Sequence, residues 1–324
     1  MTQTYNDFPP TASWESLRQR AELLRKVRRF FDERGFLEVE TPLLSSGTVV
    51  DRHLEPFSVN PAPPATPSRL WLQTSPEAHM KRLLAAGSGP IYQLARVFRR
   101  EERGPWHNPE FTLLEWYQPG ADMEAGMELT SELCETLLHL GPAEKLSYRE
   151  AFLRHVGVDP HTASCEELLT AAARHGLQPP SLAPDDRDGW LDFLLIELVQ
   201  AHLGVTRPTL LFDYPAGQAA LARIRPDDPP VAERFELYVA GVELANGYNE
   251  LPDADELRER VARTNAQRAA DGKPPLPENS YLLAAMEHGL PPAVGVALGF
   301  DRLVMLALGA ARIDEVIAFP FERA

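Results

Sequence analysis

The chain has 324 residues, 24% charged and 44% hydrophobic, with a net charge of -15 and a pI of about 5.1. This is ordinary globular composition, and the acidic balance argues against broad contact with a phosphate backbone, which calls for a basic footprint. Two cysteines, Cys134 and Cys165, are too few for a disulfide scaffold and lack metal-site spacing, the start shows no secretory signal, and no run reaches the roughly 18–20 apolar residues of a membrane span, so a cytoplasmic protein without a membrane partner is expected.

Residues 14–34 carry Leu17, Ala21, Leu24, Val27 and Phe31 at helical spacing, with Ser13 to cap the start and Gly35 to end it. "FLEVETPLL" (36–44) reads as a short strand halted by Pro42, 60–69 as a Pro-rich loop, and "LWLQTS" (70–75) as a strand. Ser75 and Pro76 then open a helix closed by Gly87. "PIYQLARVFR" (90–99) and "EFTLLEWY" (110–117) read as an antiparallel hairpin with a long polar loop. Residues 123–203 are mostly helical in pattern, and "PTLLFDYP" (208–215) is a strand. "RFELYVAGVELANGYNEL" (234–251) alternates, turns at Gly241 and resumes, with Gly247 expected to break the second strand. Asp253 and Glu256 suit a capping box for a charged helix to Gly272. "AVGVALGF" (293–300) is a strand and "DRLVMLALG" (301–309) a helix. Strands paired as hairpins among helices predict an α+β fold, an antiparallel sheet flanked by helices. The expected organisation is one domain over 1–324, with a mostly helical insertion at about 123–203. No P-loop pattern is present.

Four groups of residues carry chemistry. Glu115 shares a strand face with Phe111, Leu113 and Tyr117, where a carboxylate needs a partner. Arg99 ends the neighbouring strand, so a structural ion pair would account for either residue. The charged run Arg99–Arg103 reads as a solvated hairpin tip or as a cradle for a polyanion. Arg302 opposes the dipole of its helix at a cost of ~0.3–1 kcal/mol; Asp301 beside it offers neutralisation, and Gly295 and Gly299 permit close backbone approach. Glu243 and Glu250, seven apart, suit a divalent cation such as Mg²⁺ together with phosphate oxygens, or an ammonium group, or nothing more than a polar loop. Glu77 falls in the first turn of a helix, where an acid is welcome in any case.

In this order the segments resemble the catalytic domain of class II aminoacyl-tRNA synthetases of the lysyl type, over essentially the whole chain from about Ser13. "FLEVETPLL" resembles motif 1, a dimer-interface strand; "FRREE" with "HNPEF" resembles motif 2; "GVALGFDRL" resembles motif 3; "ELANGYNEL" resembles the lysyl-type metal and substrate segment. The class II fold is what the resemblance implies, with ATP as co-substrate and Mg²⁺ at Glu243 and Glu250. It also implies catalytic roles for Arg99, at the α-phosphate, and Arg302. ATP contacts would come from Arg99, Arg100, Glu101, His107, Asn108, Phe111, Glu243, Leu244, Gly299 and Arg302. Of these, Glu101 would face the adenine amino group, and Phe111 and Arg302 would sandwich the base. Ser75, Pro76, Glu77, Glu115, Tyr117, Asn246, Glu250 and Ala297 would bind the amino-acid substrate.

The motif 1 helix begins at about residue 14, which leaves no room ahead of it for an anticodon-binding barrel, and stable tRNA binding is not expected. The segments "TSPEAHMKRLL", "HNPEFTLLEWY", "RFELYVAGVELANGY" and "GVALGFDRLVMLALG" are similar to those of the elongation factor P–(R)-β-lysine ligase family. That likeness implies a homodimer that activates (R)-β-lysine, or lysine, as an adenylate and transfers it to a lysine side chain of elongation factor P. Ala297 stands where lysyl-tRNA synthetases carry glycine, and its methyl is expected to reshape the amino-acid pocket for a displaced amino group. Three other readings fit the same residues: a free-standing lysyl-type enzyme charging tRNA, a small-molecule amide ligase resembling asparagine synthetase, and a catalytically dead binding paralogue. The intact Arg99, Glu101, Glu243, Glu250 and Arg302 argue against the last.

Overall fold

The computed structural model describes residues 8–61, 69–178 and 182–324; most of the Pro-rich stretch at 60–69 lies outside them. Backbone packing separates two units. The first takes the chain up to Tyr117 with Asp253–Pro291 and Leu298–Ala324, and the second takes Gln118–Pro252 with Pro292–Ala297.

The first unit opens with α1 (Trp14–Asp32), started by the Ser13 side chain accepting from the Ser16 N–H. Its buried residues are Leu23, Val27, Phe30 and Phe31, so the core stripe runs one residue away from Leu24 and takes in two adjacent phenylalanines. Phe31 stacks on Tyr92, with centroids 4.6 Å apart. Gly35, at φ +73, turns the chain into β1 (Leu37–Glu38); β2 (Leu44–Ser45), β3 (Ser58–Val59), β4 (Leu70–Leu72) and α2 (Glu77–Ala85) follow, then β5 (Ile91–Phe98) and β6 (Glu110–Pro119). The last two form the expected hairpin, in register from Ile91↔Tyr117 to Phe98↔Glu110. β1 lies parallel to β5, while β2, β4 and β3 make a separate small sheet.

The second unit holds α3 (Met123–Leu138), β7 (Glu144–Ser147), α4 (Tyr148–His155), α5 (Cys165–Arg174), α6 (Arg187–Leu194), β8 (Thr209–Pro215), β9 (Ile224–Arg225), β10 (Val231–Val239) and β11 (Val242–Asn249). The helical insertion therefore contains one strand, β7, too short to show an alternating pattern. It pairs parallel with β8. The helices bury Tyr148, Phe152, Leu168, Trp190 and Leu191 together. Ala240 and Gly241, at φ 51 and 75, make the tight β10–β11 turn that a right-twisted hairpin favours.

The chain returns to the first unit with α7 (Ala254–Ala270) and α8 (Ser280–Gly289), then runs through β12 (Ala293–Gly299) into α9 (Phe300–Leu308). Asp253 caps α7 by accepting from the Asp255 and Glu256 N–H groups. The expected capping box is not completed, because the Glu256 carboxylate pairs with Arg260 instead. Among the described residues no helix is long and apolar enough to cross a membrane.

Candidate active site

In the first unit, α2 and the β5–β6 hairpin gather Ser75, Glu77, Glu115 and Tyr117 as the sequence predicts. Glu115 is 2% exposed and accepts from the Tyr117 hydroxyl at 2.6 Å and the Ser75 hydroxyl at 2.8 Å. The Ser75 oxygen in turn accepts from the Glu77 N–H at 3.0 Å, so one hydroxyl starts α2 and holds Glu115. Burial, reinforced by the negative charge of Glu77, pushes the Glu115 carboxyl up to about 7. The Tyr117 and Ser75 hydrogen bonds and the Lys81 ammonium pull the other way. Lys81, itself buried, lies 2.5 Å from Glu77. Glu77 is thus already paired within the protein, while Glu115 accepts its hydrogen bonds from two neutral hydroxyls.

The cradle at the end of the hairpin differs from the expected ion pairs. Arg99 does not reach Glu115; it donates to Glu102 at 3.2 Å and lies over Phe111 at 5.1 Å from the ring centroid. Arg100 and Glu101 are exposed and 3.2 Å apart. Asp301 does not neutralise Arg302. Its carboxylate pairs with Arg20 at 2.5 Å and accepts from the Thr112 N–H at 2.7 Å. Arg302 instead approaches His107 Nε2 at 2.6 Å. Burial and the Arg302 charge hold the His107 imidazole below its ordinary range. Asn108 is occupied by the protein itself, donating to the Glu110 carbonyl at 2.7 Å and accepting from the Phe321 N–H at 3.0 Å. A Cβ on Gly299 would meet Arg302 at an ordinary 3.6 Å, so the protein's own packing does not demand a glycine there. Along β12, Ala297 and Gly299 are half-buried, whereas Gly295, Val296 and Leu298 are buried.

The second unit carries Glu243, Leu244, Asn246 and Glu250. Seven residues of regular strand would put the two carboxylates on opposite faces. The ladder instead pairs Leu237 with Ala245 and Tyr238 with Glu243, leaving Leu244 as a bulge. The extra residue reverses the alternation, so Glu243, Asn246, Tyr248 and Glu250 share a face with Arg234, Glu236 and Tyr238. Burial agrees: Glu243, Asn246 and Tyr248 are half-buried, whereas Leu244, Ala245 and Gly247 are buried. Gly247 does not break the strand. It makes room for the Phe235 ring, whose Cζ would lie 2.3 Å from an added Cβ.

A shared face does not make Glu243 and Glu250 partners for one ion, since the intervening strand rises ~20 Å at about 3.3 Å per residue. A nearer carboxylate, Glu236, occupies the adjoining position of the same face, about one diagonal step (~7–8 Å) from Glu243. It accepts from Arg234 and from the Tyr238 hydroxyl, both at 2.6 Å. Among the described residues no three His, Cys, Asp or Glu side chains converge. Two carboxylates suit Mg²⁺, which takes one or two from protein and the rest from phosphate and water.

Two residues escaped the sequence reading. Lys81 follows Glu77 by one helical turn, a pairing visible in "PEAHMK". Glu236 sits in "RFELY" as Glu115 sits in "TLLEWY", an acid inside an apolar alternation. The site residues thus fall into a pocket and cradle in the first unit and a carboxylate face in the second.

The family model of tRNA synthetases class II (D, K and N) matches residues 1–323. Among curated proteins, the chain is 51% identical over 319 residues to the elongation factor P–(R)-β-lysine ligase of Edwardsiella ictaluri, covering 98% of each chain. It is 50% identical to the protein so named from Proteus mirabilis, again over 98% of each, and 50% identical to that of Vibrio vulnificus, over 97% of this chain and 98% of the other.

Proposed function

The chain belongs to the class II tRNA synthetase family, alongside the elongation factor P–(R)-β-lysine ligases, and from that premise we propose that it activates (R)-β-lysine with ATP and transfers it to a lysine of elongation factor P. The observation that carries the substrate class is Glu115: a buried carboxyl, held by two neutral hydroxyls and pushed up to about 7, gains most from a cationic partner. In the first step a substrate carboxylate oxygen attacks the α-phosphorus of ATP and the α–β anhydride bond breaks, giving aminoacyl-adenylate and pyrophosphate. Arg99 stabilises charge developing on the α-phosphate, while Arg302 and Phe111 hold the base by cation–π and stacking contacts. In the second, the acceptor amine attacks the adenylate carbonyl, the acyl–phosphate bond breaks, AMP leaves, and one proton is released. Mg²⁺ would neutralise phosphate charge from the face carrying Glu243, with Glu236 as its nearer companion and Glu250 left to the amino-acid substrate. The assembly would be a homodimer through the motif 1 segment, in the cytoplasm.

Pyrophosphate exchange into ATP, measured over a panel of amino acids, tests the first step. (R)-β-Lysine should give the highest kcat/KM, and Arg99→Ala should lower exchange by roughly 10²–10³. The second step is tested by incubating ATP and labelled (R)-β-lysine with elongation factor P and bulk tRNA together. Label on the protein supports the reading; label on tRNA alone overturns it.

A further inference from the structure

We infer that Arg268 is a positioning residue for nucleotide binding, acting through Glu55 on the backbone of Arg100; the inference rests on the reading of the Arg99–Glu101 stretch as the ATP cradle. Arg268 lies near the end of α7, outside every segment assigned to the site, and is 0% exposed. Its guanidinium is spent on one short loop and the turn after its own helix. Nη2 donates to Glu55 Oε1 at 2.8 Å, Nη1 to the carbonyls of Asp51 at 2.8 Å and Leu54 at 3.3 Å, and Nε to the Pro274 carbonyl at 3.2 Å. The loop is also folded on itself, with Asp51 Oδ1 accepting from the His53 and Leu54 N–H groups at 2.7 and 2.9 Å.

What this loop supports is the point where the sheet stops. The β5–β6 ladder gives its last bond at Arg99, whose N–H donates to the Pro109 carbonyl at 2.8 Å. The next N–H, that of Arg100, donates to the Glu55 carbonyl at 2.8 Å. Arg99 and Glu101 leave the backbone on either side of that anchor, so the Glu55 peptide sets the direction of both. The Glu55 carboxylate, 8% exposed, is held by Arg268, with Lys273 and the Arg100 guanidinium each 3.8 Å away. A planar fork reaching four acceptors at fixed angles cannot be replaced by the single ammonium of lysine, whereas the charge balance of the buried pair can.

Arg268→Lys therefore keeps the charge and discards the geometry. ATP affinity by calorimetry, thermal stability, and hydrogen exchange at the Arg100 amide are measured in wild type, Arg268→Lys and Arg52→Ala. Arg52 is the control for loss of a side-chain ion pair from the same loop, which it leaves to pair with Asp271 beyond the end of α7. The expected result is ATP affinity weakened on the order of 10–100-fold in Arg268→Lys, as for a misplaced contact group. Faster exchange at Arg100 should accompany it, with affinity unchanged in Arg52→Ala. Unchanged affinity in Arg268→Lys, a loss matching only its unfolded fraction, or an equal loss in Arg52→Ala overturns the positioning role. Wild type that binds ATP but exchanges pyrophosphate with no amino acid refutes the proposed reaction, and the affinity comparison still decides Arg268. Wild type that does not bind ATP refutes both.

Discussion

Glu115 shows how one buried side chain can make ligand binding depend on pH. With its carboxyl pushed up to about 7 from an ordinary 4.5, chiefly by burial, the empty pocket holds a proton below neutrality that an ammonium ligand must displace. Affinity for (R)-β-lysine is expected to rise about tenfold per pH unit between about 5 and 7 and to level off above. Glu115→Gln should bind more weakly and lose that slope, which calorimetry across the range would read. The sign for the empty protein is the reverse. Between 4.5 and about 7 the folded state binds more protons than the unfolded one, so stability falls as pH rises through that window, by about 3 kcal/mol in all. Urea denaturation of wild type and Glu115→Gln at pH 5 and 8 checks it. That this acid needs a partner is legible in the alternation of "EFTLLEWY". The Glu77–Lys81 pair, one turn apart on α2, is visible in "PEAHMK"; that Ser75 supplies one hydrogen bond to Glu115 is not, because it depends on how α2 lies against the hairpin.

At the scale of elements, the β10–β11 pair is legible in the sequence as a hairpin, but its bulge and the place of its glycine are not. Gly247 looks like an interruption from its residue type alone; in the fold it is the space that the fully buried Phe235 ring fills. Gly247→Ala is expected to cost about 1–3 kcal/mol by overpacking, with Phe235→Leu recovering part of the loss, as measured by chemical denaturation. The bulge at Leu244 has no sequence signal in "GVELANGY", yet it decides which carboxylates share a face. Register belongs to the pair of strands, and one strand's spacing cannot reveal an extra residue opposite its partner.

For the molecule as a whole, the segment expected at a dimer interface exposes large apolar side chains: Leu37 is 58% exposed, Leu43 42% and Leu44 39%. Light scattering at micromolar concentration is expected to give about twice the 36.1 kDa chain mass, and Leu37→Glu with Leu43→Glu should shift the protein toward monomer. A monomeric wild type would count against the assembly.

The order of motifs, the two main hairpins and the ends of α1, α2, α7 and α9 were determined by the sequence itself, since caps, alternation and turn residues act over a few neighbours. So was the family, since the chain is about half identical to the curated relatives along essentially its full length. Tertiary structure decided everything that depends on which distant groups meet. It gave Asp301 to Arg20 and Arg302 to His107, placed Glu236 beside Glu243 on one strand face, and buried Arg268 against Glu55. Contacts of this kind are settled by which charged and polar groups are desolvated together, and that is a property of packing that no local pattern carries.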